Sequence, residues 1–415
     1  MIPRLEEYKM RWHVESERAI KPGLAAILEA LEALGNPQNT LKVVHFAGTN
    51  GKGSTLTFVE HLARQHDLTV GKFMSPCIVD VHDQIQINGR PIKPKEMDAI
   101  FQQLVAAGLS GKLTDFELLT TAAFIHFKEQ QVDLVCLEVG MGGREDSTNV
   151  VIPIVSVIPS IALEHTNFLG NTLTLIAHHK GGIIKDSKPT VIGHLPEEAR
   201  EVIQQIAKEK NAPLYEMGKQ FDIKQHGNGE EYINSHRQLT ISGLQRQMLG
   251  IHQGHNMALA ITAFFEVADA LKIEVIEEKV HVAIREAQLA GRFEEVLPNI
   301  YFEGAHNPAS IRTLVHTVKK HFPSKNIEFV MGILADKDVE EILTILEEVS
   351  DTFYFVNIAN DRAMEATKIY QLSHAGNKII IDDVVAFLQQ PVENCIRIVT
   401  GSLYLLSEIR RKLNA

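Results

Sequence analysis

Cysteine is scarce and scattered: Cys77, Cys136 and Cys395 are the only three in 415 residues. An odd number spread so widely excludes a disulfide-stapled scaffold and the paired spacing of a zinc ribbon. Long apolar runs are missing too. No uninterrupted stretch approaches the roughly 20 residues that span a bilayer, and the charged start MIPRLEEYKMRWHVESE lacks the apolar core of a signal segment. The expectation is a soluble, cytoplasmic protein with no membrane partner. Excess positive charge is also absent. Forty-one Lys and Arg against 52 Asp and Glu leave a formal net charge of −11, which argues against a nucleic-acid groove, where basic side chains concentrate. Small anions stay admissible, because backbone amides, one lysine and a metal ion suffice to hold a phosphate.

What is present is an ordinary globular composition, 45% hydrophobic and 22% charged, with no low-complexity tract. At about 100 to 200 residues per domain the length implies two or three domains, and a two-domain enzyme is the starting expectation. Residues 22–34 carry spaced Leu, Ile and Ala and stop at Gly35-Asn36-Pro37, as a helix end does. Residues 41–47 read as a strand running into Gly48, 54–64 as a helix and 69–73 as a further strand. Strand, glycine loop, helix and strand within about thirty residues is the form of a nucleotide-binding βαβ unit. Further helices at 116–130, 170–179 and 197–210 alternate with strands at 132–137, 151–158 and 189–192, which predicts a buried parallel sheet covered by helices. A polar, β-rich insertion follows at 221–249, then helices at 256–270 and 277–287. The pattern breaks over 291–299, and a domain boundary is placed near residue 295. Beyond it, helices at 311–321 and 339–350 alternate with strands at 300–302, 327–331, 353–356, 378–381 and 396–399, the pattern of a smaller α/β domain.

The sharpest local signal is Gly48-Thr49-Asn50-Gly51-Lys52-Gly53-Ser54. Glycines let the backbone approach a phosphate closely, and successive amides at a helix start point at its oxygens. In such a loop Lys52 meets the terminal phosphates and the Ser54 hydroxyl faces Mg²⁺, although the spacing is one residue shorter than the general phosphate-loop pattern. A second glycine loop, Val139 to Arg144, follows the apolar strand that ends in Glu138. Ligands gather at the C-terminal ends of parallel strands, where Glu138 is a candidate metal ligand; the alternative is a salt bridge or cap. His165 and Lys180 return to the same strand ends. A neutral imidazole suits a metal, and a desolvated lysine suits phosphate or, after addition of CO₂, offers carboxylate oxygens. From the residues alone, His165 is as readily an ordinary polar residue and Lys180 a surface helix residue.

These landmarks extend to Ser75-Pro76, Phe116-Glu117, Leu137 to Arg144, Glu164 to Thr172, His179 to Lys185, His252 to Asn256, Gly291 to Glu294, Glu303 to Pro308, Gly332 to Asp338 and Val399 to Leu405. In this order, over nearly the whole chain, they resemble the folylpolyglutamate synthase family within the Mur-type amide ligases. The resemblance implies an α/β fold: a phosphate-loop, Mur-ligase-like N-terminal domain with folate-binding loops, residues 1–295, and a smaller α/β glutamate-ligase domain, 296–415. It implies attack of a γ-carboxylate of a reduced folate or folylpolyglutamate on ATP, an acyl phosphate, and capture by the amine of L-glutamate, with ADP and phosphate released. First-glutamate addition to dihydropteroate is the related activity. A diverged Mur-type ligase and a nucleotide-binding relative without folate chemistry are the alternatives.

By the same resemblance, Ser54, Ser75 and Glu138 match ligands of a first Mg²⁺, and His165 with a carbamylated Lys180 match those of a second. Gln253 and Asn256 match residues approaching the nucleotide base, Arg292 one reaching the phosphates, and His306 one entering the cleft. Glu303 stands where the family commonly has a nucleotide-contacting Asp. Asp336, Lys337, Asp338 and Arg362 match a loop region associated with amino-acid binding and closure, without a catalytic role. K⁺ dependence and a monomeric state also follow from the resemblance alone. Three departures bear on the acceptor: where the family has Asn-Glu-Arg-Ile, this chain has His82-Asp83-Gln84-Ile85. Milder ones are Glu164 for Asp and Gly181 for Ala.

Overall fold

A computed structural model describes residues 2–18, 21–227, 229–392 and 394–413. It comprises two compact units, Met1–Gln247 with Gln253–Ala287, and Met248–His252 with Gln288–Ala415. The division falls between Ala287 and Gln288, ahead of the expected residue 295, and assigns Arg292 to the smaller unit. The hairpin beginning at Glu294 is held from its approach: Gly291 N–H donates to Glu294 Oε2 at 2.7 Å, and Gly304 N–H to Gly291 O at 2.8 Å.

The larger unit is built on an eight-stranded sheet. Its strands are β1 (Val43–Phe46), β2 (Val70–Phe73), β3 (Ile85–Ile87), β4 (Arg90–Pro91), β5 (Leu134–Glu138), β6 (Val155–Ile158), β7 (Thr190–Ile192) and β8 (Leu214–Glu216). Their order is β4-β3-β2-β5-β1-β6-β7-β8. The run from β2 to β8 is parallel, and β3 and β4 add an antiparallel edge. Every residue of β1, β2, β5 and β6 is buried, as the continuous apolar runs require of strands covered on both faces. The helices are α1 (Leu5–Trp12), α2 (Ala25–Ala33), α3 (Lys52–Gln65), α4 (Pro94–Ala106), α5 (Asp115–Glu129), α6 (Thr166–Leu169), α7 (Leu173–Gly181), α8 (Glu197–Glu209), α9 (Ile251–Leu271) and α10 (Glu277–Glu286). Leu5, Leu31, Phe101 and Phe124 belong to one core cluster of this unit, and Ile176, Ile183 and Ile203 to another. The β-rich insertion is an antiparallel three-stranded meander, β9 (Phe221–His226), β10 (Gly229–Asn234) and β11 (Leu239–Leu244).

Local chemistry trims several expected elements. Only Val155–Ile158 of the expected strand 151–158 joins the sheet, because Pro153 removes a donor and Ser147–Val150 closes into a 3₁₀ turn capped by Asp146. The helix after the phosphate loop begins at Lys52, two residues earlier than expected. The helix ending in Gly181 begins at Leu173, where the Thr172 hydroxyl accepts Leu175 N–H at 3.2 Å. Helix α4, unassigned from the sequence, buries Met97, Ile100, Phe101 and Leu104 at a clear helical spacing.

The smaller unit carries a six-stranded sheet of order β12-β13-β17-β14-β15-β16, from β12 (Glu294–Leu297), β13 (Ile300–Phe302), β14 (Asn326–Met331), β15 (Thr352–Phe355), β16 (Asn377–Ile380) and β17 (Cys395–Thr400). All of its pairings are parallel except the β12–β13 hairpin. Its helices are α11 (Pro308–His321), α12 (Val339–Leu346), α13 (Ala366–Leu372), α14 (Val384–Leu388) and α15 (Leu403–Leu413). Among the described residues no helix is long and apolar enough to cross a membrane.

Candidate active site

The centre of the large sheet brings four strand ends side by side. Phe46, at the end of β1, is in register with Glu138 on β5 and Val157 on β6, and Phe73, at the end of β2, with Leu137. The phosphate-type loop, Glu138, the Ser75-Pro76 turn and the segment leading to His165 therefore leave the sheet along one edge, as ligand sites in open α/β sheets do.

The loop after β1 is held from the side by the segment after β6. Thr49 N–H donates to Ser160 O and Asn50 N–H to Ser160 Oγ, both at 2.9 Å, while the Ser160 hydroxyl donates to Asn50 O at 2.9 Å. Gly51 has φ +88°, and a Cβ there would lie 2.6 Å from Asn256 Oδ1 and 3.0 Å from Pro159 Cβ. Glycine is thus required twice, by backbone conformation and by the approach of α9. Asn256 and Gln253 are both buried, and Asn256 Nδ2 donates to Gln253 Oε1 at 3.0 Å. Because α3 begins at Lys52, the amides of Lys52, Gly53 and Ser54 fall in its first turn, where an α-helix has no intrahelical acceptor for them. Lys52 Nζ folds back over the loop, donating to Gly48 O at 3.1 Å and Thr49 O at 3.3 Å, and stands 3.9 Å from Glu138 Oε1.

Lys180 is 2% exposed on α7. Burial first, then the charge of Lys52, pushes its amine down to about 7 from 10.5, against the opposing fields of Glu164 and Asp146. Those mutual effects put Lys52, Glu164, Asp146 and Lys180 in one electrostatic neighbourhood. His165 is half-buried with φ 51° at the start of the short helix α6. Ser54, with 2% exposure, lies in the first turn of α3, and Ser75 precedes a cis Pro76 just beyond β2.

Within the smaller unit, Arg292 Nη1 lies 3.3 Å from Gly291 O and 4.0 Å from Glu303 Oε1. A Cβ on Gly304 would come 2.4 Å from that guanidinium, so glycine lets Arg292 lie across the strand end. Glu303 is buried and its Oε2 accepts Phe293 N–H at 2.9 Å; burial raises its pKa, and Arg292 opposes the rise. His306 Nδ1 donates to Gly304 O at 2.8 Å, which leaves Nε2 as the imidazole's acceptor when neutral. Asp336 pairs with Arg362 at 3.0 Å, and Asp338 caps α12 through Glu341 N–H.

A Mur ligase middle-domain family model matches residues 46–264, and a Mur ligase glutamate ligase domain model matches residues 291–401. The dihydrofolate synthase/folylpolyglutamate synthase of Bacillus subtilis is 34% identical over 417 residues, 97% of each chain. The chain belongs to the folylpolyglutamate/dihydrofolate synthase family of Mur ligases. The family's folylpolyglutamate synthase from Lacticaseibacillus casei is 33% identical over 93% of each chain. The solved structure of E. coli FolC in complex with DHPP and ADP matches with a TM-score of 0.89 at 28% identity, covering 99% of this chain and 98% of that one.

The three departures from the family's Asn-Glu-Arg-Ile pattern turn inward. His82 is buried between the Tyr8 hydroxyl and Asp80 Oδ1, each at 2.7 Å. Asp83 accepts the N–H groups of Ile78 and Val79, and Gln84 is 3% exposed. These side chains build the loop after Ser75-Pro76.

Among the described residues there is no group of three or more His, Cys, Asp or Glu that could hold a metal ion. The residues matched to the family's metal positions include only Glu138 and His165 of those types; the rest are hydroxyls and a lysine. Hydroxyl and carboxylate oxygens suit Mg²⁺, which takes few protein ligands and completes its shell with phosphate oxygens and water. Lys180 would join such an oxygen set through the oxygens of a carbamate.

The sequence reading missed Ser160, His45, Asp146 and Thr148. Two signals pointed to the last three: a histidine interrupting the apolar run Val43-Val44-His45-Phe46, and an Asp-x-Thr capping pattern shortly after the second glycine loop.

Proposed function

We propose that this chain is an ATP-dependent ligase that joins the amine of L-glutamate to the γ-carboxylate of tetrahydrofolate or its polyglutamates. The observation that carries the reading is the similarity over 97% of both chains to the Bacillus subtilis relative, whose name states the activity. Relatives solved with ADP and AMPPCP support ATP as the nucleotide. A carboxylate oxygen attacks the terminal phosphorus of ATP, and the bond to the bridging oxygen breaks to release ADP. The glutamate nitrogen, having lost its proton, then attacks the acyl carbon, and phosphate leaves with the electron pair of the C–O bond. No protein nucleophile is needed.

The chain's contribution is charge placement. The first-turn amides of α3 and Lys52 would hold phosphates, with Gln253 and Asn256 on the nucleotide. Ser54, Ser75 and Glu138 would hold one Mg²⁺, and His165 with carbamylated Lys180 a second; bound magnesium offsets charge on the transferring phosphoryl group. At neutral pH the neutral fraction of the Lys180 amine is large, so its lone pair attacks CO₂, an N–C bond forms, a proton leaves to solvent, and an anionic carbamate results. K⁺ activation, a monomeric state and a cytoplasmic setting accompany this reading.

Dihydropteroate as a second acceptor is favoured by the double name of the Bacillus subtilis relative and by the DHPP complex of E. coli FolC. The test is mass analysis of products from ATP, Mg²⁺, L-glutamate and either tetrahydrofolate monoglutamate or dihydropteroate. A gain of one or more glutamates with matching ADP is expected, and the acceptors separate the two activities. Lys52→Ala is expected to lose turnover about a thousandfold, in the range seen when one charge-stabilising group is removed. ADP release without amide formation, in folded protein that binds ATP, refutes the ligase reading.

A further inference from the structure

Behind the strand ends runs a buried line of hydrogen bonds that links the phosphate-loop strand to the two groups proposed to hold metal. His45, fully buried on β1, has Nε2 2.9 Å from Thr148 Oγ1. The Thr148 hydroxyl lies 2.6 Å from Asp146 Oδ1, which also accepts Thr148 N–H at 3.0 Å. A carboxylate only accepts, so the single hydroxyl proton of Thr148 is committed to Asp146 and its oxygen must accept from His45. The line therefore has one direction, from imidazole N–H to hydroxyl to carboxylate. Burial agrees: it pushes the His45 ring down to about 3, keeping it neutral, and Nδ1 has no hydrogen-bond partner among the described residues.

The far end of the line grips the turn that connects Glu138 to Lys180. Asp146 Oδ2 accepts Met141 N–H at 2.9 Å, three residues beyond Glu138. The same turn lies against α7: Arg144 N–H donates to His179 O at 2.8 Å. A Cβ on Gly143 would sit 2.6 Å from His179 O and 3.0 Å from Lys180 O. Asn149 Nδ2 closes the arrangement by donating to Arg144 O at 3.0 Å and Gly182 O at 3.1 Å. With no side chain at Gly143 to take up slack, a shift of the turn moves the Lys180 backbone relative to Glu138.

We propose that His45, Thr148 and Asp146 are positioning residues that set the separation of Glu138 and Lys180, and with it the affinity of the site for divalent metal. This rests on the proposed metal-holding roles of Glu138 and Lys180. Groups that orient metal ligands from behind typically change metal affinity 10- to 100-fold when removed; Thr148 acts one link further back, so the lower figure applies.

The test measures Mn²⁺ binding by electron paramagnetic resonance, with ADP present, for the parent, Thr148→Val and Thr148→Ser. Valine keeps the shape and removes the hydroxyl; serine keeps the hydroxyl. The expected result is about tenfold weaker Mn²⁺ binding for Thr148→Val and a return to within about twofold of the parent for Thr148→Ser, with the Mg²⁺ activation constant of turnover following the same order. Loss of thermal stability with unchanged Mn²⁺ affinity overturns the proposal, since it marks a purely structural hydroxyl. If Thr148→Val does not fold, His45→Asn supplies the same comparison, because its shorter side chain keeps a donor that cannot reach Thr148; unchanged affinity there overturns the proposal equally. A parent that binds Mn²⁺ but adds no glutamate refutes the ligase reading while the ranking of variants still decides this one. A parent that binds no Mn²⁺ overturns both.

Discussion

Replacing Lys180 by Met should stabilise the fold while abolishing metal-supported turnover. The amine is 2% exposed and held at about 7 against its ordinary 10.5, which corresponds to roughly 5 kcal/mol of differential destabilisation of the charged form. The folded-state value is depressed for a base, so between pH 7 and 10.5 the unfolded chain binds more protons than the folded one, and stability rises with pH through that window. Below pH 7 both states carry the proton and the penalty is constant and complete. Methionine fills a similar volume and has nothing to desolvate. In CO₂-free buffer, urea unfolding at pH 6 should find Lys180→Met more stable than the parent, by at most about 5 kcal/mol and by less as the site relaxes. At pH 9 the folded amine is neutral and only the part from 9 to 10.5 remains, so the gap should shrink by roughly 3 kcal/mol. Adding bicarbonate should raise the stability of the parent and leave the variant unmoved. A parent-to-variant difference that stays constant from pH 6 to 9 refutes the reasoning.

Two further substitutions probe the architecture. Gly51→Ala should weaken ATP binding more than tenfold, because its Cβ meets Asn256 Oδ1 at 2.6 Å; Gly35→Ala, with φ +72° and open space around it, should cost only about 1 kcal/mol of stability. Equal, small effects at both sites in calorimetric titration and thermal melts would contradict the close packing of α9 on the loop. Lys72→Met leaves fully buried Glu60, now paired with Lys72 at 2.6 Å, with Arg64 at 3.8 Å as its remaining ion-pair partner among the described residues, and should cost about 3 kcal/mol. The double variant with Glu60→Gln should recover most of that loss in urea unfolding, and a single-variant loss under about 1 kcal/mol would argue against a buried charge pair.

Sequence pattern located the central strands because strands buried on both faces are mostly apolar, as β1 is apart from His45 and β5 is up to Glu138. The phosphate loop was legible because closely approaching backbone demands glycines at stated positions, and its lysine and serine belong to the same seven residues. Glu138 stood out as the acid that ends an otherwise apolar run, and it is buried at the C-terminal end of β5. Local sequence has less hold elsewhere. Pro153 and the Asp146 cap cut a strand-forming run in half, since turn chemistry outweighed β-propensity. Tertiary structure alone turned His82, Asp83 and Gln84 inward, where a reading of the isolated motif pointed them at an acceptor. It also buried Lys180, whose residue type and helical setting suggested a surface position. The difference is one of range: a strand or a glycine turn is decided by neighbours in the chain, whereas the depression of an amine by burial and by Lys52, or the direction of a hydroxyl from His45 to Asp146, depends on groups brought together only when the sheet is assembled.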